Sequence, residues 1–284
     1  MQKSSCSSKK FTPLVLIGWL LALLVLFPLY IMVINSFKSR QEIFTNQLSL
    51  PASLNFDYYK QAIAQMKFFT ALGNSLIVTS VSVVLIVIFS SMAAWVLERR
   101  KTKTSSFLFY MFIATMLIPF QSIMIPLIQY INQWKIPSTN FALLNTRYGL
   151  IFMNIGFGVS MAIFLYHGFL KTVPYEIEEA ATIDGCNKFQ LFWHVVFPIL
   201  IPTTVTVAIL NVLSLWNDYL LPSLTLRDPE LRTIPLSTFF FFGQFNIEWN
   251  LALAGLVLTI IPVIIFYLFT QKYIIRGIAT GAIK

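Results

Sequence analysis

Long apolar stretches, parted by short polar ones, make up most of the chain. A helix needs roughly 20 apolar residues to cross a bilayer. Six stretches meet that length: Phe11–Asn35, Ala71–Leu97, Phe107–Ile131, Tyr148–Leu170, Val195–Leu215 and Leu251–Gln271. No heptad pattern, low-complexity tract or internal repeat interrupts the series. The pattern predicts an all-α, polytopic integral membrane protein with six transmembrane helices spread over residues 11–271.

The polar segments set the expected orientation. Lys3, Lys9 and Lys10 precede the first span, Arg99, Arg100, Lys101 and Lys103 crowd the loop after the second, and Lys272, Arg276 and Lys284 follow the sixth. If every span crosses, these segments share one side, and an excess of Lys and Arg marks that side as cytoplasmic. Both termini, 1–10 and 272–284, are then expected inside the cell membrane, as is the loop 171–194. Outer segments 36–70, 132–147 and 217–250 follow from the same count, though Lys38, Arg40, Lys60, Lys67, Arg227 and Arg232 show that the bias is not absolute. The N-terminal "MQKSSCSSKK" and its apolar run resemble a signal peptide. That run is too long for an h-region and no small-residue cleavage site follows it, so an uncleaved first span is expected.

Composition agrees with a chain solvated by lipid. Hydrophobic residues are 57% of 284 and charged ones 11%, against roughly 25% charged in soluble domains; the mean hydropathy is +0.75. The net charge of +9 comes from short clusters between apolar runs. It does not form the basic face that a nucleic-acid binder needs, so no nucleic-acid partner is expected. Cys6 and Cys186 both fall on expected cytoplasmic segments, where a disulfide does not persist, and neither has metal-ligand spacing.

Polar residues inside the spans leave two readings open. Asn74, Ser75, Thr79, Asn154 and Asn211 could offer hydrogen bonds along a route for a polar solute, or they could tie helices together. Prolines 119, 126, 198, 202 and 262 are similarly either tolerated kinks or points where freed carbonyls line a path. The run Phe239–Phe242 could stack on a sugar, but it better suits a membrane–water boundary or a docking patch.

The carboxylates are distributed unevenly. Glu176, Glu178, Glu179 and Asp184 lie within nine residues, and each would cost about 2.5–3.5 kcal/mol at a span centre, so the stretch belongs outside the bilayer. "VPYEIEEAATIDG" reads as a short helix: Pro174 suits its first position, the glutamates suit the positive end of its dipole, and Gly185 suits a left-handed stop. "NKFQLFWHVV" continues as a second helical run toward the fifth span. The acids either satisfy a solvated surface helix or rim a docking face in which Ala180 and Ala181 permit close approach. One exposed ion pair contributes only about 0–1 kcal/mol, so no single glutamate could hold a partner.

Several function classes find no support. There is no phosphate-cradling G-x-x-x-x-G-K-[ST], no H-E-x-x-H and no G-x-S-x-G. Gradient-driven transporters place ionisable groups deep in their spans, whereas Glu98, Asp218 and His167 lie at span ends. No enzyme activity and no cofactor are expected.

The residues "EAATIDGCNKFQLFWHVVFP", Glu179 to Pro198, resemble the cytoplasmic motif of ATP-binding-cassette importer permeases: Glu-Ala-Ala, a glycine four residues on, then nine residues before an Ile-x-Leu-Pro. Glu179, Ala180, Ala181, Gly185 and Pro198 match, while Val195, Phe197 and Cys186 depart from the usual residues and stay apolar. "WNDYLLPSL" resembles the segment after the fifth span in carbohydrate-importer permeases, and the tail "QKYIIRGIATGAIK" resembles that of the smaller permease of maltose-type sugar importers. The resemblance implies the importer-permease (MetI-like) fold. It further implies a second homologous permease, a separate ATPase dimer and an extracellular sugar-binding protein as partners. It implies that Glu178, Glu179, Ala180, Ala181, Asp184 and Gly185 form a coupling helix docked on the ATPase, with Glu179 facing a basic residue there. Thr280, Gly281 and Ala282 would reach between the ATPase subunits, and "FFFFGQFNIEW" would touch the binding protein. Asn74, Asn154 and Asn211 remain candidates for the translocation path.

Overall fold

The structure is a computed structural model that describes residues 12–134, 143–242 and 247–282, excepting the side chains of 12–14, 240 and 273–282. In chain order its α-helices are α1 (Thr12–Asn35), α2 (Arg40–Thr45), α3 (Asp57–Gln65), α4 (Phe68–Arg99), α5 (Lys103–Met116), α6 (Phe120–Gln133) and α7 (Arg147–Leu170). Then come α8 (Glu176–Ile183), α9 (Lys188–Leu191), α10 (Phe197–Ile199), α11 (Ile201–Trp216), α12 (Leu220–Thr225), α13 (Ile234–Thr238) and α14 (Trp249–Ala282). Among the described residues the only β pairing is an isolated bridge between Phe242 and Ile247. The fold is all-α.

Four described helical stretches are long and apolar enough to cross a membrane unaided: Val15–Asn35, Phe68–Arg99, Arg147–Leu170 and Trp249–Lys272. The third and fifth expected spans are each broken. Lys103–Met116 meets Phe120–Gln133 at 104°, and Lys188–Ile199 meets Ile201–Trp216 at 75°; counted as one crossing each, they complete six. Proline explains both breaks. Pro119 is the N-cap of α6, and a proline disfavours helical backbone in the residue before it, here Ile118. Pro202 sits at the start of α11, where its missing N–H costs no hydrogen bond.

The chain divides into two compact units, Met1–Met66 with Thr238–Pro262, and Lys67–Ser237 with Val263–Lys284. In the first, only 6% of the most apolar stretch of α1 is buried, as expected of a lipid-facing helix whose sequence carries no charge. The chain leaving α1 closes around a buried lysine. Lys38, 2% exposed, donates through Nζ to Asn35 Oδ1 at 3.1 Å and to the Asn46 carbonyl at 2.9 Å. A buried ammonium needs such acceptors because its desolvation is otherwise uncompensated. Ser36 Oγ and the Tyr59 hydroxyl lie 2.6 Å apart, fastening α3 to the same turn.

The second unit is built on α4 and α7. Val83, Ile86, Val87 and Ala94 of α4 and Ala162, Ile163, Tyr166 and Leu170 of α7 share one buried cluster with Leu191, Phe192, Val196, Leu200 and Val207. Small side chains allow the close approach: Ser82, Ser90 and Ser91 of α4 are buried, and a Cβ on Gly158 would stand 2.4 Å from Ile86 Cδ1. Thr146 caps α7, accepting the Gly149 N–H at 3.1 Å. At this end Asn145 is left-handed, φ 58°, and its Oδ1 accepts the Arg227 and Asp228 N–H groups at 2.8 and 2.9 Å.

Candidate functional site

The acidic stretch folds as α8, beginning at Glu176, slightly later than Pro174 suggested. Its carboxylates crowd the first turn, near the positive end of the helix dipole. The end is a two-bond C-cap. Gly185 has φ +89°, the Cys186 N–H reaches the Ala181 carbonyl and the Gly185 N–H reaches the Thr182 carbonyl, both at 3.1 Å. That pairing is the Schellman arrangement, which needs a left-handed residue at its bend and so favours glycine. Asn187 then caps α9, accepting from the Phe189 and Gln190 N–H groups while Gln190 Oε1 accepts the Asn187 N–H. A π-helical turn, Phe192–Val196, joins α9 to α10.

Adjacent glutamates of α8 face opposite ways. Glu179, Ala180, Thr182, Ile183, Asp184 and Gly185 are exposed, Ile183 at 85%, while Ala181 and Cys186 pack against the α4–α7 core. Glu178 turns inward and is 4% exposed. Its Oε1 accepts from Arg99 Nε at 2.7 Å and its Oε2 from Trp95 Nε1 at 2.9 Å. Trp95 and Arg99 are four apart on α4 and therefore share a face.

Arg99 ties three segments together. Besides Glu178 it donates to the Val173 carbonyl at 3.1 Å and the Leu170 carbonyl at 3.4 Å, and its guanidinium lies 5.7 Å from the centre of the Tyr175 ring. The end of α4, the end of α7 and the first turn of α8 thus share one polar clamp. Charge-assisted bonds of this length are about twice as strong as neutral ones, and burial keeps water from competing. Of the residues expected to meet an ATPase, Glu178 is already engaged within its own chain. The sequence reading missed Arg99 and Trp95; their spacing at a span end was the available signal.

The other expected positions resolve as follows. Asn74 is buried and its Nδ2 donates to the Glu230 and Arg232 carbonyls at 2.8 and 3.0 Å. Asn154 Nδ2 donates to Ser82 Oγ at 3.4 Å, linking α7 to α4, and Asn211 Nδ2 donates to the Val207 carbonyl of its own helix at 2.9 Å. Glu98 and His167 pair, Oε2 to Nε2 at 2.9 Å, with Phe109 stacked 3.7 Å from the imidazole. Thr280, Gly281 and Ala282 close the backbone of α14, but their side chains lie outside the described residues, as do residues 243–246 of the aromatic segment. Among the described residues no three His, Cys, Asp or Glu side chains are grouped to hold a metal.

The family described as "Binding-protein-dependent transport system inner membrane component" matches residues 86–280, from mid-α4 through α8 to the end of α14. The "Probable starch degradation products transport system permease protein AmyC" of Thermoanaerobacterium thermosulfurigenes is 47% identical over 271 residues, covering 95% of this chain and 96% of that protein. The "Melibiose/raffinose/stachyose import permease protein MelC" of Bacillus subtilis is 32% identical over 258 residues, covering 90% and 91%. A crystal structure of a bacterial ABC transporter involved in the import of the acidic polysaccharide alginate has a chain of the same fold, with TM-score 0.79 and 24% identity, covering 95% of this chain and 99% of that one. This chain belongs to the binding-protein-dependent transport system inner membrane component family, and is a membrane-embedded transport permease, not an enzyme.

Proposed function

We propose that this chain is one of two homologous permeases in an ATP-binding-cassette importer that moves a sugar or oligosaccharide into the cell. Relatives named for starch products and for melibiose, raffinose and stachyose support the solute class. In this reading α8 is a handle: a separate ATPase dimer closes, pulls α8, and the clamp at Glu178 passes the pull to α4 and α7. The observation that carries it is the division of labour between neighbours, Glu178 facing inward and Glu179 with Ala180 facing outward. Such a helix is fixed to its own membrane domain on one side and free to dock on the other. An extracellular sugar-binding protein would deliver the solute, and the tail at Thr280–Ala282 would lie by the ATPase, with both termini cytoplasmic.

Glu179→Lys is expected to leave folding intact, because the side chain is exposed, and to lower sugar-stimulated ATP hydrolysis of the reconstituted complex at least tenfold. Uptake at the parent rate would remove the docking role. A cysteine at Ala180 should react with a membrane-impermeant maleimide only in inside-out vesicles, and reaction in intact cells would put the handle on the wrong side. Gly185→Val tests the bend itself, since a β-branched side chain resists positive φ. It should impair assembly with the ATPase, and unchanged ATPase co-purification would count against this geometry.

A further inference from the structure

We propose that the hollow where α4, α5 and α7 meet is a binding site for the phosphate of an anionic phospholipid headgroup. The site goes beyond the transport reading and does not rest on it. A cavity of about 490 Å³ opens there, and its wall includes Arg100, Lys101, Lys103 and Lys171. Arg100 and Lys101 follow α4, Lys103 opens α5 and Lys171 follows α7, so the fold gathers them from two distant stretches of chain. Among the described residues, Arg100, Lys101 and Lys103 have no carboxylate within ion-pair distance. The wall's one acid, Glu98, has its Oε2 2.9 Å from His167 Nε2, so four cations face a single carboxylate. Lys171 Nζ stands 6.0 Å from the centre of the Phe109 ring, which draws the ammonium toward the hollow. Like charges collected around a concave surface repel one another, and an anion placed among them relieves that repulsion. The first turn of α5, capped by Thr102, adds the positive end of a helix dipole to the same wall.

The surroundings favour a lipid over a free anion. Beyond the hollow, α5 presents Phe107 and Tyr110, each 67% exposed, and Met111, at positions i, i+3 and i+4 on one face. Tyr110 also lines the cavity, so the basic wall runs directly into an apolar strip. A phosphodiester with two acyl chains matches both halves, and the tyrosine suits the boundary between them. Free phosphate would use the cations and leave the strip unexplained.

Native mass spectrometry of the purified full-length chain, exchanged against phosphatidylglycerol, phosphatidylcholine or inorganic phosphate, tests the assignment. Phosphatidylglycerol should be retained at least tenfold over phosphatidylcholine. Each cation near an anionic headgroup is worth about fivefold in binding, so Lys101→Ala with Lys103→Ala should reduce retention roughly 25-fold, while Lys101→Arg with Lys103→Arg preserves it. Removing the same charge at exposed positions of the same unit that do not line the hollow, by Lys188→Ala with Arg227→Ala, should change retention less than twofold. Equal retention of the two lipids would overturn the proposal. So would an equal loss in the Lys188/Arg227 variant, which would signal diffuse attraction, or displacement of the lipid by millimolar inorganic phosphate, which would make the site one for free anions.

Discussion

Glu178→Ala is expected to destabilise the membrane domain by about 3 kcal/mol or more, because breaking a buried ion pair leaves its partner charge unpaired. The side chains of Arg99 and Glu178 are 14% and 5% exposed, so water cannot replace the lost carboxylate at the guanidinium. The Trp95 indole N–H loses its acceptor in the same stroke. Thermal unfolding followed by tryptophan fluorescence should show a lowered midpoint, and sugar uptake should fall with it. The companion double variant, Arg99→Met with Glu178→Met, separates two roles. Replacing a buried pair by apolar side chains of similar size is often neutral or stabilising, so the midpoint should recover in part, the Trp95 indole N–H still lacking the acceptor it had in Glu178. Uptake should not, since the Met side chain cannot hold the Leu170 and Val173 carbonyls. A Glu178→Ala protein with the parent's midpoint and uptake would show that the clamp neither stabilises nor transmits.

Gly149→Ala should be nearly as damaging, for a steric reason. A Cβ on Gly149 would stand 1.7 Å from the Leu143 carbonyl oxygen and 2.6 Å from the carbonyl carbon. Backbone cannot step aside as a flexible side chain can. Leu143 O also accepts from Thr146 Oγ1 at 2.9 Å, so moving it disturbs the cap of α7 and the neighbouring Asn145 bridge to Arg227 and Asp228. Overpacking of this kind costs about 1–3 kcal/mol and sometimes more, and the upper end is expected here. Gly156, in the same helix, is the control: nothing lies within 4 Å of its added Cβ, and alanine in a helix is favoured over glycine by roughly 0.5–1 kcal/mol. Unfolding midpoints should therefore move in opposite directions for the two alanines. Matching shifts would sink the steric account.

Much of the fold was legible because the bilayer enforces a length rule. Apolar runs located the single-helix spans within a few residues, and Gly185 announced the left-handed stop that φ +89° records. Prolines were harder to read. Pro119 could mark a gentle kink or a break, and only the preceding residues leaving helical backbone decide for the 104° turn. The site shows the limit most clearly. Glu178 and Glu179 are the same residue type side by side, and no local rule says which one faces inward. That choice is made by donors far along the chain, the Trp95 indole and the Arg99 guanidinium, whose convergence on α8 depends on how α4 and α7 pack. The buried Lys38 was likewise invisible, because its acceptors include backbone carbonyls, which every residue carries.

A fastening at three points allows no play. If α8 takes the stroke proposed above, Arg99, which bonds the ends of α7 and α8 from α4, moves all three as one block, and the give lies elsewhere. Of the two bent crossings, one is locked: Leu200 at its vertex is fully buried. At the vertex of the other, Leu117 is 80% exposed and is not packed into the core of its own chain. A stroke should therefore open or close the angle between α5 and α6 and leave that at Leu200 fixed, so spin labels flanking residue 117 should change separation during the ATPase cycle while a pair flanking residue 200 stays still.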